Sequence, residues 1–414
     1  MDNRTQRQKQ AQADRQKALK FQRTVRTAAI VLALVLALIS LSQSCSTKKA
    51  IEDLAAQIRA KKLAQAQEEL QALQPSPSPS PTLPPASEGT QITLSFVGDV
   101  AMGIDDAIIE RGEGGDLFAQ FYDNYGEDYF FENVKSIFEG DDLTTASLVS
   151  NLTLLPDDPS QRYNWNPAYR GEPYYADILA VGGIDAVTVA NYHTYDFRDE
   201  GHVDTLANLD NSGVGRFGYW STMERELAGH SAGDPKMIQV GNIKVGYVGV
   251  YEKSDDFYED MALADIAELR ENGAQIVIVE VAWTSEEPDR PDDNKILKAH
   301  KFIDNGADLV VGIQPDVLQG IECYHDKYIV YSLGTFLSCA EEPVNMDSFI
   351  FQQTFTVSGG QVLPQADFEI IPCSISSQPA NNCQPTPLKD ADAQRVLDHI
   401  YDCSVILDGG ISPQ

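Results

Sequence analysis

Seven polar residues follow apolar runs in this chain at the places where chemistry gathers: Asp99, Asn151, Asn191, His193, Glu286, Gln314 and Asp316. Carboxylates and amides are hard oxygen donors that suit Mg²⁺, Ca²⁺ or Mn²⁺, whereas borderline transition metals favour imidazole. Asp99, Glu286 and Asp316 are the three carboxylates among the seven. An imidazole is the side chain suited to giving a proton to a leaving oxygen, and His193 and Asp99 are the candidate catalytic pair. Each has a plain structural reading beside it. Asp99 can cap a turn, His193 can fasten its loop by hydrogen bonds, and Glu286 sits in the acidic stretch "SEEPDRPDD". No Walker-type loop, Ser-His-Asp order or Cys-x-x-Cys pair occurs, so nucleotide hydrolysis and ordinary acyl transfer lack support.

The elements that must position these residues are those of an α/β unit. "ITLSFVGD", "TASLVSN", "IDAVTVANYH", "IKVGYVGVY", "AQIVIVEVAW" and "ADLVVG" are short buried-type strands. Helical stretches at 199–212, 262–272 and 293–305 alternate with them. Such alternation predicts a largely parallel sheet with helices outside it, and function at the carboxyl ends of its strands. Residues 349–370 read as an antiparallel hairpin closing the sheet, and the glycines of "GGIDAV" and "NGAD" as helix-to-strand turns.

Several of these segments also carry a resemblance. "SFVGDVAMG", "ANYHTYDFRDEG", "AWTSEE" and "NGADLVVGIQPDVLQGIECYHDKYIVYSLGTFL", taken in order over residues 91–371, resemble the successive motifs of the CapA family of poly-γ-glutamate capsule synthesis proteins. The resemblance implies a calcineurin-like metallophosphoesterase-type α/β fold, an αββα sandwich of two packed sheets flanked by helices. It also implies a place in capsule assembly at the outer face of a membrane. In the family pattern the Gly-Asp after the first strand supplies a metal-binding carboxylate, and Asp99 is present.

The later motifs depart from that pattern. Asn-Leu-Glu becomes Asn151-Leu152-Thr153, and Asn-Asn-His becomes Asn191-Tyr192-His193. His-Trp-Gly-x-Glu becomes Ala282-Trp283-Thr284-Ser285-Glu286, and His-Pro-His becomes Gln314-Pro315-Asp316. A two-metal site needs about four ligands per ion, imidazoles among them. What the resemblance then implies is one Mg²⁺ or Mn²⁺ held by the retained all-oxygen metal set Asp99, Glu286 and Asp316, or a metal-free pocket lined by Asn151, Asn191, Tyr192, Arg170, Trp283 and Gln314. Whether the chain is an enzyme stays open at this point. Arg170 lies in "NWNPAYRGEPYYADIL", where Arg162 and Arg170 accompany Trp165, Tyr169, Tyr174 and Tyr175. Aromatics with Arg suit the stems and carboxylates of an anionic polymer; an ordered surface loop is the alternative.

Charge and hydropathy set the organisation. The net charge is −31, yet residues 1–26 hold eight Lys/Arg against two Asp, a local +6 that leaves −37 on the remainder. So acidic a body repels nucleic acid. Residues 1–26 read as a basic cytoplasmic arm and 27–44, "TAAIVLALVLALISLSQS", as a single-pass transmembrane signal anchor with the C-terminal side extracytoplasmic. Ser44-Cys45 resembles the end of a lipobox, so a lipoprotein anchored through Cys45 is the alternative.

Residues 46–74 read as a stalk helix, 75–89 as a Pro/Ser-rich linker, 90–371 as the CapA-like domain and 372–414 as a Cys-containing extension. Outside the cytoplasm disulfides are allowed. Cys373 and Cys383 enclose a loop that a bridge would clamp, and Cys323 and Cys339 flank a strand pair, which would leave Cys403 alone. Connectivity itself is not legible. Two roles follow as expectations. One is binding and assembly of an anionic capsule polymer, or of its membrane synthase; the other is single-metal hydrolysis of phosphoester or amide bonds.

Overall fold

A computed structural model of the protein describes residues 89–103, 116–156, 168–218, 235–252, 257–283, 290–340, 345–364 and 367–413. The expected arm, anchor and stalk, nearly all of the linker, and Glu286, Arg162 and Trp165 lie outside the described residues. Among the described residues no helix is long and apolar enough to cross a membrane.

The chain opens with β1 (Thr90–Val100), α1 (Leu117–Tyr125), α2 (Lys135–Phe138), β2 (Leu143–Leu148), β3 (Asn151–Leu152) and β4 (Arg170–Gly171). α3 (Ala176–Gly182), β5 (Ala186–Thr188), α4 (Arg198–Ser212) and β6 (Gly215–Phe217) follow. Next come β7 (Lys236–Val240), β8 (Ile243–Tyr251), α5 (Phe257–Glu271), β9 (Ile276–Ala282), α6 (Asp293–Asp304), β10 (Leu309–Gly312), β11 (Ile321–Tyr324) and β12 (Lys327–Val330). β13 (Thr335–Leu337), β14 (Asp347–Ser358), β15 (Gln361–Val362), β16 (Phe368–Ser374), β17 (Thr386–Pro387) and α7 (Asp390–Ser404) complete it.

These strands form two mixed sheets rather than one largely parallel sheet, with β3 and β4 paired separately. The first runs β17-β16-β14-β1-β2-β5-β6, with β13 also paired to β1 and β15 to β14. Its half from β1 to β6 is parallel, and β14 and β16 add to it antiparallel. The second runs β11-β12-β10-β9-β8-β7, parallel through β12, β10, β9 and β8 and antiparallel at both edges.

Side-chain alternation along the strands divides the interior into three cores. Ile92, Leu94 and Phe96 of β1 meet Val245, Tyr247, Ile276, Ile278, Leu309 and Val311 of the second sheet. Val97 and Val100 face the other way, onto Ile178 and Leu179 of α3 and Leu206 and Leu209 of α4. Val277, Val279 and Val281 of β9 likewise pack outward on Ile266, Leu269, Phe302 and Ile303 of α5 and α6. The order of layers is helices, sheet, sheet, helices. Strands covered on both faces read as unbroken apolar runs, which is why they were visible in the sequence.

Candidate functional site

Asp99 owes its position to two local devices. A Cβ on Gly98 would stand 1.8 Å from the Gly334 carbonyl oxygen, so only glycine lets β1 approach the segment leading to β13. The pairing of β1 with β2 then shifts register between Phe96 and Asp99, and such an irregularity re-aims the side chains beyond it. Asp99 is buried, and its Oδ1 has no hydrogen-bond partner. Burial, then the charge of Asp316, push its carboxyl up from 3.8 to about 8, with the Ser147 hydroxyl pulling the other way.

His193 sits in the turn between β5 and α4, and the turn is tied from several sides. Asn191 Nδ2 donates to the Leu148 carbonyl (2.7 Å), and its Oδ1 accepts from the His193 N–H (2.9 Å). Asn151 Nδ2 donates to the His193 carbonyl (2.7 Å). Asp196 Oδ2 lies 2.8 Å from His193 Nδ1 and accepts the Tyr169 N–H at 2.9 Å. The Tyr169 ring meets the imidazole edge-on at 4.8 Å. With Nδ1 occupied by a carboxylate, Nε2 is the ring nitrogen left for chemistry.

Gln314-Pro315-Asp316 leaves the end of β10 just after Gly312, where a Cβ would stand 1.9 Å from the Tyr331 carbonyl oxygen. The Gln314–Pro315 peptide is cis. Ser332 Oγ donates to the Pro315 carbonyl at 2.8 Å and holds this loop against the segment between β12 and β13.

Together these three segments border a cavity of about 180 Å³ lined by Asp99, Tyr169, His193, Gln314, Asp316 and Thr335, with Ser338, Asn345 and Ile375 on the side of the C-terminal region. Asp316 is exposed and Gln314 half-buried. Among the described residues the lining carries two carboxylates and no Lys or Arg. Burial, then the charges of Asp316, Asp196 and Asp99, push the Tyr169 hydroxyl up to about 12.

The extension beyond 371 belongs to this wall. β16 crosses residue 371, β17 pairs with it, and Ile375 reaches the cavity. Asn381 Nδ2 donates to the carbonyls of Ser338 (2.8 Å) and Ala340 (2.9 Å). That contact brings Cys383 to Cys339, and those two form the disulfide, with Cα atoms 4.9 Å apart. Neither pairing weighed from the sequence, Cys373 with Cys383 or Cys323 with Cys339, is formed. Cys323, Cys373 and Cys403 form no disulfide. Cys373 is turned into the core on the helix side of the first sheet, opposite Ser348 in the β14–β16 register.

The structure thus brings Asp99, His193, Gln314 and Asp316 to one cavity and leaves the other described candidates outside its lining. Asn151 and Asn191 are buried and engaged with backbone groups. Tyr192 packs with Ala190, Tyr251 and Ala282. Trp283 is buried in the core between the second sheet and its helices. Arg170 stands 3.7 Å from Glu172, and among the described aromatics of that stretch only Tyr169 lines the cavity, since Tyr175 is buried and Tyr174 exposed. Asp196 was not anticipated; its only trace is a carboxylate three residues after a histidine in a turn. Among the described residues no three His, Cys, Asp or Glu side chains converge as a metal-binding group.

The chain belongs to the family of the bacterial capsule synthesis protein PGA_cap, which it matches over residues 93–340. It is 23% identical over 329 residues to the capsule biosynthesis protein CapA of Bacillus anthracis, spanning 75% of this chain and 72% of that protein. It is 25% identical over 308 residues to the PGA biosynthesis protein CapA of Bacillus subtilis, spanning 72% and 74%. A solved structure of a novel phosphatase from Mycoplasma pneumoniae shares 12% identity over 69% of this chain and 94% of its own, at a TM-score of 0.40.

Proposed function

We propose that this protein acts in the synthesis or export of an anionic capsule polymer of the poly-γ-glutamate type. In this reading it is a membrane-anchored, extracytoplasmic component that binds the polymer or its membrane synthase, on a metallophosphoesterase-type scaffold whose metal centre has degenerated. The observation that carries it is the family match over residues 93–340. The basic arm followed by an apolar run supports the membrane placement.

The donor chemistry supports binding over two-metal hydrolysis. Asn151 and Asn191 are committed to backbone partners, the carboxylate and imidazoles of the family pattern are replaced by Thr153, Ala282, Gln314 and Asp316, and His193 Nδ1 is taken by Asp196. Such a set does not fit a pair of transition-metal ions. The test is deletion of the gene and complementation with the full chain or with His193→Ala, reading cell-associated polymer and the metal content of the purified protein. Restoration by both chains, with the protein metal-free, supports the reading; normal polymer in the deletion strain overturns it.

A second reading, a surface phosphoester or amide hydrolase using one Mg²⁺ or Mn²⁺ with His193 as proton donor, is favoured by one observation. His193, oriented by Asp196, lines the same cavity as Asp99. It predicts failure of His193→Ala in the same assay and one divalent ion per chain.

A further inference from the structure

We propose that the cavity is a receptor for a primary ammonium group, namely the free amino end of a γ-linked glutamyl chain, in place of the metal ions its relatives' pattern implies. The polymer's identity rests on the capsule reading above; the selectivity for an ammonium does not.

Charge comes first. The described lining holds the Asp316 carboxylate, the buried Asp99 carboxyl, which burial and Asp316 push up to about 8, and no cationic side chain, so a run of polymer carboxylates is repelled from it while an entering cation favours the ionised form of Asp99. The amino end is the one cationic group that a poly-γ-glutamate chain possesses. The second observation is the state of Asp99: its Oδ1 is buried in the cavity wall with no hydrogen-bond partner, and a buried acceptor of this kind calls for a donor. An ammonium brings three donors on one atom. Asp99, Asp316 and His193 Nε2 border the same space and can each take one of its donors, although no three His, Cys, Asp or Glu side chains of the described residues converge as a metal-binding group.

Size and the remaining lining specify the rest. At about 180 Å³ the cavity lies below the roughly 300–1,000 Å³ of pockets that enclose drug-sized molecules. It admits one terminal residue rather than a stretch of polymer. In a γ-linked chain that residue carries its carboxylate beside the ammonium. Tyr169, Thr335, Ser338 and Asn345 offer neutral hydroxyl and amide donors for it without adding a positive charge.

The test is calorimetric titration of the full-length protein, in chelator-treated buffer, with γ-glutamyl-γ-glutamate and with its N-acetylated twin. The free-amino peptide is expected to bind, and the acetylated one to bind at least tenfold more weakly. Asp316→Asn, at an exposed position the fold tolerates, is expected to weaken binding at least tenfold; Asp99→Asn, checked for folding by circular dichroism, is the second variant. Equal binding of the two peptides, binding of neither, or uptake of one Mn²⁺ per chain that the peptide does not displace would overturn the proposal. Binding of glycinamide with none of the γ-glutamyl peptide overturns the glutamyl assignment. Because the capsule reading is judged on polymer made by cells, the two can fail separately.

Discussion

Asp196 Oδ2 is shared between two partners: His193 Nδ1 at 2.8 Å and the Tyr169 N–H at 2.9 Å. One buried carboxylate therefore fixes a ring from the β5–α4 turn and the backbone of a cavity-lining residue from a distant segment. Asp196→Ala strands the Tyr169 N–H, and losing one partner of a buried hydrogen bond costs about 1–3 kcal/mol. Urea denaturation is expected to show that loss. Imidazole ¹⁵N NMR of the parent chain is expected to show the Nδ1-protonated tautomer of His193, giving way to a mixture in the variant. A parent chain with the proton on Nε2 would contradict the arrangement.

Between the sheets, the Thr145 hydroxyl donates to Glu280 Oε1 at 2.5 Å. Burial pushes the Glu280 carboxyl up from 4.5 to about 8, so the folded state keeps it neutral while the unfolded chain ionises it. Below about pH 4.5 the group is protonated in both states and its contribution is fully present. From there to about pH 8 stability falls as pH rises, by up to about 1.4 kcal/mol per pH unit. Asp141, pushed up to about 6 by burial, acts in the same direction over a lower window. Glu280→Gln keeps an acceptor for Thr145 and removes the charge. Its melting temperature is expected to exceed that of the parent at pH 8.5 and to approach it at pH 5.

The Cys339–Cys383 bridge closes a separation of 44 residues and ties the C-terminal region to the cavity wall. Chain-entropy reasoning assigns about 2–4 kcal/mol to a loop of this size. Cys383→Ser is expected to lower the denaturation midpoint accordingly. Non-reducing peptide mapping should recover the 339–383 pair with Cys323, Cys373 and Cys403 alkylated. Recovery of a 373–383 peptide would refute this connectivity.

The strands with two covered faces were legible, because a buried strand cannot hide its apolar run: β8, β9 and β10 lie within the segments read from sequence. So was the location of polar residues at strand ends, since Gly98 and Gly312 mark close backbone approaches just before Asp99 and Gln314. The antiparallel half of the first sheet was less legible. β14 pairs with β1 across more than 250 residues, and nothing local in either strand names its partner. A shorter separation, 43 and 41 residues, was still enough to hide the Asn381 contacts to Ser338 and Ala340, and with them the disulfide. Trp283, expected to line the pocket, and Tyr175, expected beside a polymer, were less legible for a different reason: an aromatic beside a motif looks the same in sequence whether it faces a ligand or a core, and here both face cores.

Lys298 of α6 and Glu252, just beyond β8, form a pair at 2.5 Å with both side chains nearly buried. The pair pins the helix to the strand end beside which the second sheet's outer core begins. Removing one member of a buried ion pair costs about 3–5 kcal/mol where the other charge stays buried, whereas replacing both by apolar residues of similar volume is often neutral. Lys298→Ala is therefore expected to destabilise strongly, and the double variant Lys298→Met/Glu252→Leu to recover most of that loss in urea denaturation. The comparison separates desolvation from attraction. If the double variant were as unstable as Lys298→Ala, the pair would be stabilising in its own right, and α6 would owe its placement to the ion pair rather than to Phe302 and Ile303 packed against β9 and β10.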